Sequence, residues 1–243
     1  KNQYQEIIDA FNASQTKYHV VCESQGSQAE MNAKISSTEQ SELPAMFHGA
    51  VENVAMYANE DYCVPIQEFI DMEKKGTWKE LDNTWEAIRS AYQDKDGKQI
   101  GYPQGYSYPV IYYNKDMFAK AGIDASKDLK SFEDLYTVSK KLVDGGYTTY
   151  GIGFHPDGYY FNAALGREGI MYYDNDNGYK GTIEKCLYTS DSTVNNAVKT
   201  MLGVYQKLHA ENLCIAYGSN YQKEIIPQLA DGACAMMMAV VSV

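Results

Sequence analysis

What most limits the fold of this chain is an alternation: short apolar runs suited to strands, separated by stretches in which apolar residues recur at helical spacing. The runs are Tyr18 to Glu23, Pro44 to Phe47, Val110 to Tyr113, Thr149 to Phe154 and Ala233 to Val243. Runs with little polar alternation suit strands buried on both faces, as in a parallel sheet covered by helices. Between them, Tyr4, Ile7, Ile8 and Phe11 form one helical stripe, and a second helix is expected over Gln28 to Glu39, after the turn Ser24-Gln25-Gly26-Ser27. Ala50 to Ala58, Gln67 to Lys74 and Thr84 to Tyr92 also read as helices. Asn114 caps a helix that Gly122 stops, and Ser131 caps another with Phe132, Leu135, Val138 and Leu142 on one face and Gly145-Gly146 at its end. Asp191 caps a long helix through Val194, Val198, Met201, Tyr205 and Leu208, and a last one carries Tyr221, Ile225 and Leu229, with Pro227 placed to kink it. Asp96-Gly97 is a two-residue hairpin turn. Strands alternating with helices mean an α/β fold with largely parallel pairing.

At 243 residues the chain can form one large domain or two lobes. No apolar run reaches the roughly 18 residues of a membrane span. The net charge of −11 argues against nucleic acid and against a grip on anionic lipid, both of which need clustered Lys and Arg. Lys1-Asn2-Gln3 reads like the interior of a longer sequence, without a secretory leader, and the final strand stops without a turn, so the chain is expected to be cut at both ends. Cys22, Cys63, Cys186, Cys214 and Cys234 contain no C-x-x-C pair; Cys22 and Cys234 lie in apolar runs and are expected to pack as small hydrophobes. The unusual feature is 22 tyrosines against seven Phe and two Trp. A flat apolar ring with a polar tip suits a wet cleft where sugar rings stack and hydroxyls need partners.

Catalytic signatures are sparse. His19, His48, His155 and His209 stand alone, and neither a G-x-S-x-G elbow nor a phosphate loop is present. Gly151-Ile152-Gly153 lacks the third glycine of a dinucleotide fingerprint and reads as a strand end. Asp174-Asn175-Asp176 imitates a calcium loop, but Tyr179 and Lys185 occupy its sixth and twelfth positions. Tyr112-Tyr113 could suggest a ferric site, yet neighbours on a strand face opposite ways. No cofactor, metal or catalytic residue is expected.

The densest stretch runs Asp96-Gly97-Lys98-Gln99-Ile100-Gly101-Tyr102-Pro103, then Ser107-Tyr108-Pro109-Val110-Ile111-Tyr112-Tyr113-Asn114-Lys115-Asp116-Met117-Phe118-Ala119-Lys120-Ala121-Gly122-Ile123-Asp124. It resembles the signature of family 1 extracellular solute-binding proteins of ABC importers. Phe11-Asn12-Ala13-Ser14-Gln15 and Asp231-Gly232-Ala233-Cys234-Ala235-Met236-Met237 resemble that family's helix end and returning strand. Within the family the chain is most similar to the branch of glycerol-3-phosphate and glycerophosphodiester binders, which also holds many sugar binders.

The resemblance implies a two-lobed periplasmic-binding-protein-like fold with interlobe crossing strands, here incomplete. Lobe one would be residues 1–110 plus 233–243, and lobe two 111–232, mostly helical. It implies ligand capture without chemistry, a carbohydrate handed to the importer's membrane subunits, and a monomer outside the cytoplasmic membrane, lipid-anchored or periplasmic. Ser107 falls where the branch has a ligand-binding serine, flanked by Tyr106 and Tyr108. His48 and Glu52 follow the Pro44 run, and Gln25 and Gln28 follow the Cys22 run, on the corresponding rim. Asp157, Tyr159 and Tyr160 occupy the region of the family's aromatic platforms, and Ser242 sits just past the returning strand. A phosphate-bearing ligand would want Arg or Lys donors, for which Lys115 and Arg167 are nearest. Glycerol-3-phosphate or a glycerophosphodiester, polyamine or iron on the same scaffold, and a secreted glycoside-active enzyme, remain as alternatives.

Overall fold

The computed structural model describes residues 3–74, 76–218 and 221–241. The chain divides into two compact units, Lys1–Tyr102 and Pro103–Val243. The second is built on a four-stranded sheet of β1 (Pro109–Tyr113), β2 (Tyr150–Phe154), β3 (Cys214–Ala216) and β4 (Cys234–Val240), in the order β1-β4-β2-β3. β2 runs parallel to β3 and β4, whereas β1 pairs antiparallel with β4.

The central strand explains why the last apolar run contains no polar break. Side chains alternate along a strand, so one covered on both faces needs an apolar residue at every position. Met236 and Met238 pack with Phe118, Leu142, Ile152 and Leu208 on one face, while Met237 and Ala239 pack with Ile225 on the other. The helix Phe132–Asp144 lies on β2 and on the helix Ser192–Ala210. Gly151 makes that approach possible, since a Cβ there would stand 2.4 Å from Ser139 Cα. Gly151 and Gly153 therefore lie inside a strand rather than ending it. The expected caps form: the Asn114 side chain accepts from Asp116 N and Met117 N, Ser131 makes a capping box with Asp134, and Asp191 accepts from Thr193 N and Val194 N. Tyr112 and Tyr113 diverge as alternation requires, Tyr112 joining the Ile225 side and Tyr113 resting on Phe118 at 4.6 Å.

The first unit is different in kind. Its helices are Gln3–Ser14, Gln28–Ser37, Val54–Tyr57, Ile66–Met72, Lys79–Asp82 and Glu86–Ser90, and its described residues contain no strand. The expected strands at Tyr18 to Glu23 and Pro44 to Phe47 do not form: no segment among the described residues pairs with either in a hydrogen-bonded ladder. Cys22, expected to be packed, is exposed for the same reason, whereas Cys234 is buried in β4. All five cysteines are free thiols. The Asp96-Gly97 turn forms, with Asp94 Oδ1 accepting from Asp96 N and Lys98 N, but the pairing beyond it stops at one bridge, Gln93 to Gln99.

The division between the compact units falls at Tyr102/Pro103. Residues 234–240 pair with β1 and β2 in the sheet of the second unit.

Candidate functional site

The register of the sheet determines which loops meet. β2, β3 and β4 point the same way, so Phe154, Ala216 and Val240 end on one edge of the sheet. Because β1 is antiparallel, its beginning lies at that edge too, with Pro109 opposite Val240. The carboxyl edge of an open sheet is where α/β folds place ligands. Here it gathers residues 106–108 before β1, 155–159 after β2, Tyr217 after β3 and Val241 after β4.

Hydrogen bonds among the described residues knit this edge. The Tyr159 hydroxyl donates to the Ser107 carbonyl at 2.8 Å. Val241 N donates to the Tyr108 carbonyl at 3.2 Å, and Tyr217 N to the Phe154 carbonyl at 3.2 Å. His155 Nδ1 lies 2.9 Å from the Tyr217 carbonyl oxygen. A carbonyl can only accept, so Nδ1 carries the proton in that bond. His155 Nε2 is 3.6 Å from Asp157 Oδ2. Asp157 also caps the helix Gly158–Arg167, accepting from Tyr159 N at 2.7 Å.

The helix sends three successive aromatic rings in three directions, as a turn of about 100° per residue requires. Tyr159 is exposed and reaches the loop before β1; Tyr160 is 5% exposed in the core; Phe161 meets Tyr188 edge-on at 5.9 Å. Tyr160, expected on the ligand platform, is thus a core residue behind Tyr159. Tyr106 and Tyr108 are exposed, their ring centroids 5.8 Å apart and 33° from parallel. Burial pushes the Tyr217 phenol up to about 12, and its hydroxyl has no hydrogen-bond partner among the described residues.

In the first unit the structure brings Gln28 and His48 together, Gln28 Nε2 donating to the His48 carbonyl at 2.9 Å, with the Tyr4 ring 6.2 Å from the imidazole. Gln25 is half-buried in the turn before that helix, and Glu52 is exposed on the turn Val51–Asn53. Ser242 lies outside the described residues. A depression of about 230 Å³ in the same unit is lined by Ile35, Leu43, Asn59, Glu60, Asp61 and Tyr62 among others, none of them an expected site residue. The sequence did not single out His155 or Tyr217; their only signal was position, one residue past an expected strand end for His155, and past an unexpected strand for Tyr217.

Arg167, the nearest arginine considered for a phosphate, donates instead to the Lys130 carbonyl at 2.7 Å. Among the described residues no three His, Cys, Asp or Glu side chains converge to hold a metal. Asp174 to Gly178, the false calcium loop, is a left-handed turn in which Asn175, Asp176 and Asn177 all have positive φ and Lys180 pairs with Asp176 at 3.2 Å. No helix of the described residues is long and apolar enough to cross a membrane.

The fold is that of two-lobed periplasmic binding proteins. The GacH receptor of Streptomyces glaucescens, solved unliganded and with acarbose, matches 98% of this chain and 56% of its own with a TM-score of 0.67 at 20% identity. UgpB from Mycobacterium tuberculosis, solved in complex with glycerophosphocholine, matches 98% and 56% with a TM-score of 0.68 at 15% identity. Residues 1–242 match the bacterial extracellular solute-binding protein family, and the chain belongs to it. The sn-glycerol-3-phosphate-binding periplasmic protein UgpB of Brucella abortus is 32% identical over 149 residues, which cover 60% of this chain and 34% of that protein. The chain therefore spans about a third of the length of that relative.

Proposed function

We propose that this chain is the solute-binding component of an ABC importer, working outside the cytoplasmic membrane, and that it captures a carbohydrate and releases it unchanged. The units Lys1–Tyr102 and Pro103–Val243 correspond, in this reading, to the two lobes of the family's architecture. The observation that carries the ligand class is the carboxyl edge of the second unit's sheet, where Tyr106, Tyr108 and Tyr159 are exposed around the Ser107 backbone. Flat rings with hydroxyl tips offer a sugar both a stacking face and hydrogen bonds. The polar groups beside them, Asp157 and His155, suit hydroxyl ligands, since a carboxylate accepts from O–H groups.

A second reading keeps the family and changes the ligand to glycerol-3-phosphate or a glycerophosphodiester. It is favoured by the name of the Brucella relative and by the glycerophosphocholine complex. Against it, the edge residues named above include no Lys or Arg, and a phosphate is best held by such donors.

Calorimetric titration of the protein with maltose, longer maltooligosaccharides, sn-glycerol 3-phosphate and glycerophosphocholine separates the readings. Saturable binding of a sugar, recovered unchanged, with affinity lost about tenfold or more in Tyr106→Ala or Tyr108→Ala, is the expected result. Binding confined to the glycerophosphate ligands would replace the carbohydrate assignment, and conversion of any ligand would point to an enzyme.

A further inference from the structure

Residues 104–108 have no regular secondary structure, yet Tyr106 and Tyr108 stand at a defined separation and tilt. Their backbone is held at two adjacent points. Val241 N extends the β1–β4 pairing by donating to the Tyr108 carbonyl. The Tyr159 hydroxyl donates to the carbonyl of Ser107, the residue between the two rings. Tyr159 is itself anchored on a regular element: its N–H is capped by Asp157, and its ring meets the buried Tyr160 edge-on at 5.6 Å. One phenol thus links a helix fixed in the core to the loop that carries the exposed pair. Phenylalanine would keep the ring and lose this link.

We infer that Tyr159 is a positioning residue: its hydroxyl holds the Ser107 carbonyl and so sets the spacing and tilt of the Tyr106–Tyr108 pair, leaving its ring for the ligand. This differs from a role in which the hydroxyl itself contacts the ligand, and it rests on reading the pair as a ligand platform. The bond is exposed, so water can replace the lost donor and the effect is graded rather than total.

The test is amide hydrogen exchange across residues 104–108 in the whole chain, for wild type, Tyr159→Phe and Tyr188→Phe, together with titration by maltose and glycerophosphocholine. Tyr159→Phe is expected to speed exchange in the loop about three- to tenfold, the worth of one such bond, without lowering Tm beyond a degree or two. Affinity for whichever probe binds should weaken by a similar factor. Tyr188→Phe removes a phenol bond to Asn162 of the same helix and not to the loop, so it should exchange like wild type. Unchanged exchange in Tyr159→Phe overturns the inference, as does an equal increase in Tyr188→Phe. If exchange responds but wild type binds neither probe, the positioning role stands and the reading of this face as a ligand site falls.

Discussion

The two units bury their apolar residues to different depths. Among the described residues of the first, six apolar ones are buried, and Val21, Met46, Met72 and Trp85 are each at least 74% exposed. Among the described residues of the second, twenty-two are buried, Leu142, Leu165 and Met236 at 0%. The helix Gln3–Ser14 shows the contrast at its clearest. Its stripe of Tyr4, Ile7 and Phe11 has the same spacing as Leu135, Val138 and Leu142, yet the former is exposed and the latter buried. Periodicity nominates a face; burial needs a surface to meet it, and among the described residues the sheet that supplies one lies in the second unit.

Substitutions can break or sharpen that contrast, and the largest effect is expected at the sheet. Leu142→Ala should cost about 2–5 kcal/mol, because it removes a fully buried side chain and leaves a cavity. Ile7→Ala should stay within about 0.5 kcal/mol, as for other exposed positions. Urea unfolding of both measures this, and equal costs would erase the distinction between the units.

Next comes backbone approach. Gly151→Ala should cost about 1–3 kcal/mol, since the new methyl would meet Ser139 Cα and only a shift of helix against strand can relieve it. Gly166, in the helix Gly158–Arg167, has nothing within 4 Å of a Cβ. Gly166→Ala should therefore change sign and stabilise by up to about 1 kcal/mol. A smaller loss, about 1 kcal/mol, is expected for Asp191→Ala at the cap of Ser192–Ala210, with Asp191→Asn near wild type.

The smallest effect concerns pH. Hydrogen bonds from Lys127 and Ser126 hold the Asp124 carboxyl down at about 2. A depressed carboxylate binds its proton less readily in the folded state, so its contribution is complete above about pH 4 and is lost as pH falls towards 2. Asp124→Asn should flatten that part of the stability profile, and an unchanged profile would show that solvent screens the interaction fully. Because Asp124 is exposed, the change should be near the limit of detection by chemical denaturation.

The local features of the chain were determined by its sequence. The α/β alternation, the strands at 109–113, 150–154 and 234–240, and the caps at Asn114, Ser131 and Asp191 depend on neighbouring residues and on side chains a few positions away. So did the loop Tyr106 to Tyr108 and the exposed Tyr159 as candidates. Tertiary structure decided the rest. It denied strands to Tyr18 to Glu23 and Pro44 to Phe47, made β1 antiparallel, and separated Tyr159 from Tyr160 by turning one outward and one into the core. It also brought His155 and Tyr217 to the edge where the tyrosines stand. A strand exists only when a partner completes its ladder, and a side chain is buried only when something covers it. Both conditions are set by residues far away in the chain, which no local pattern encodes.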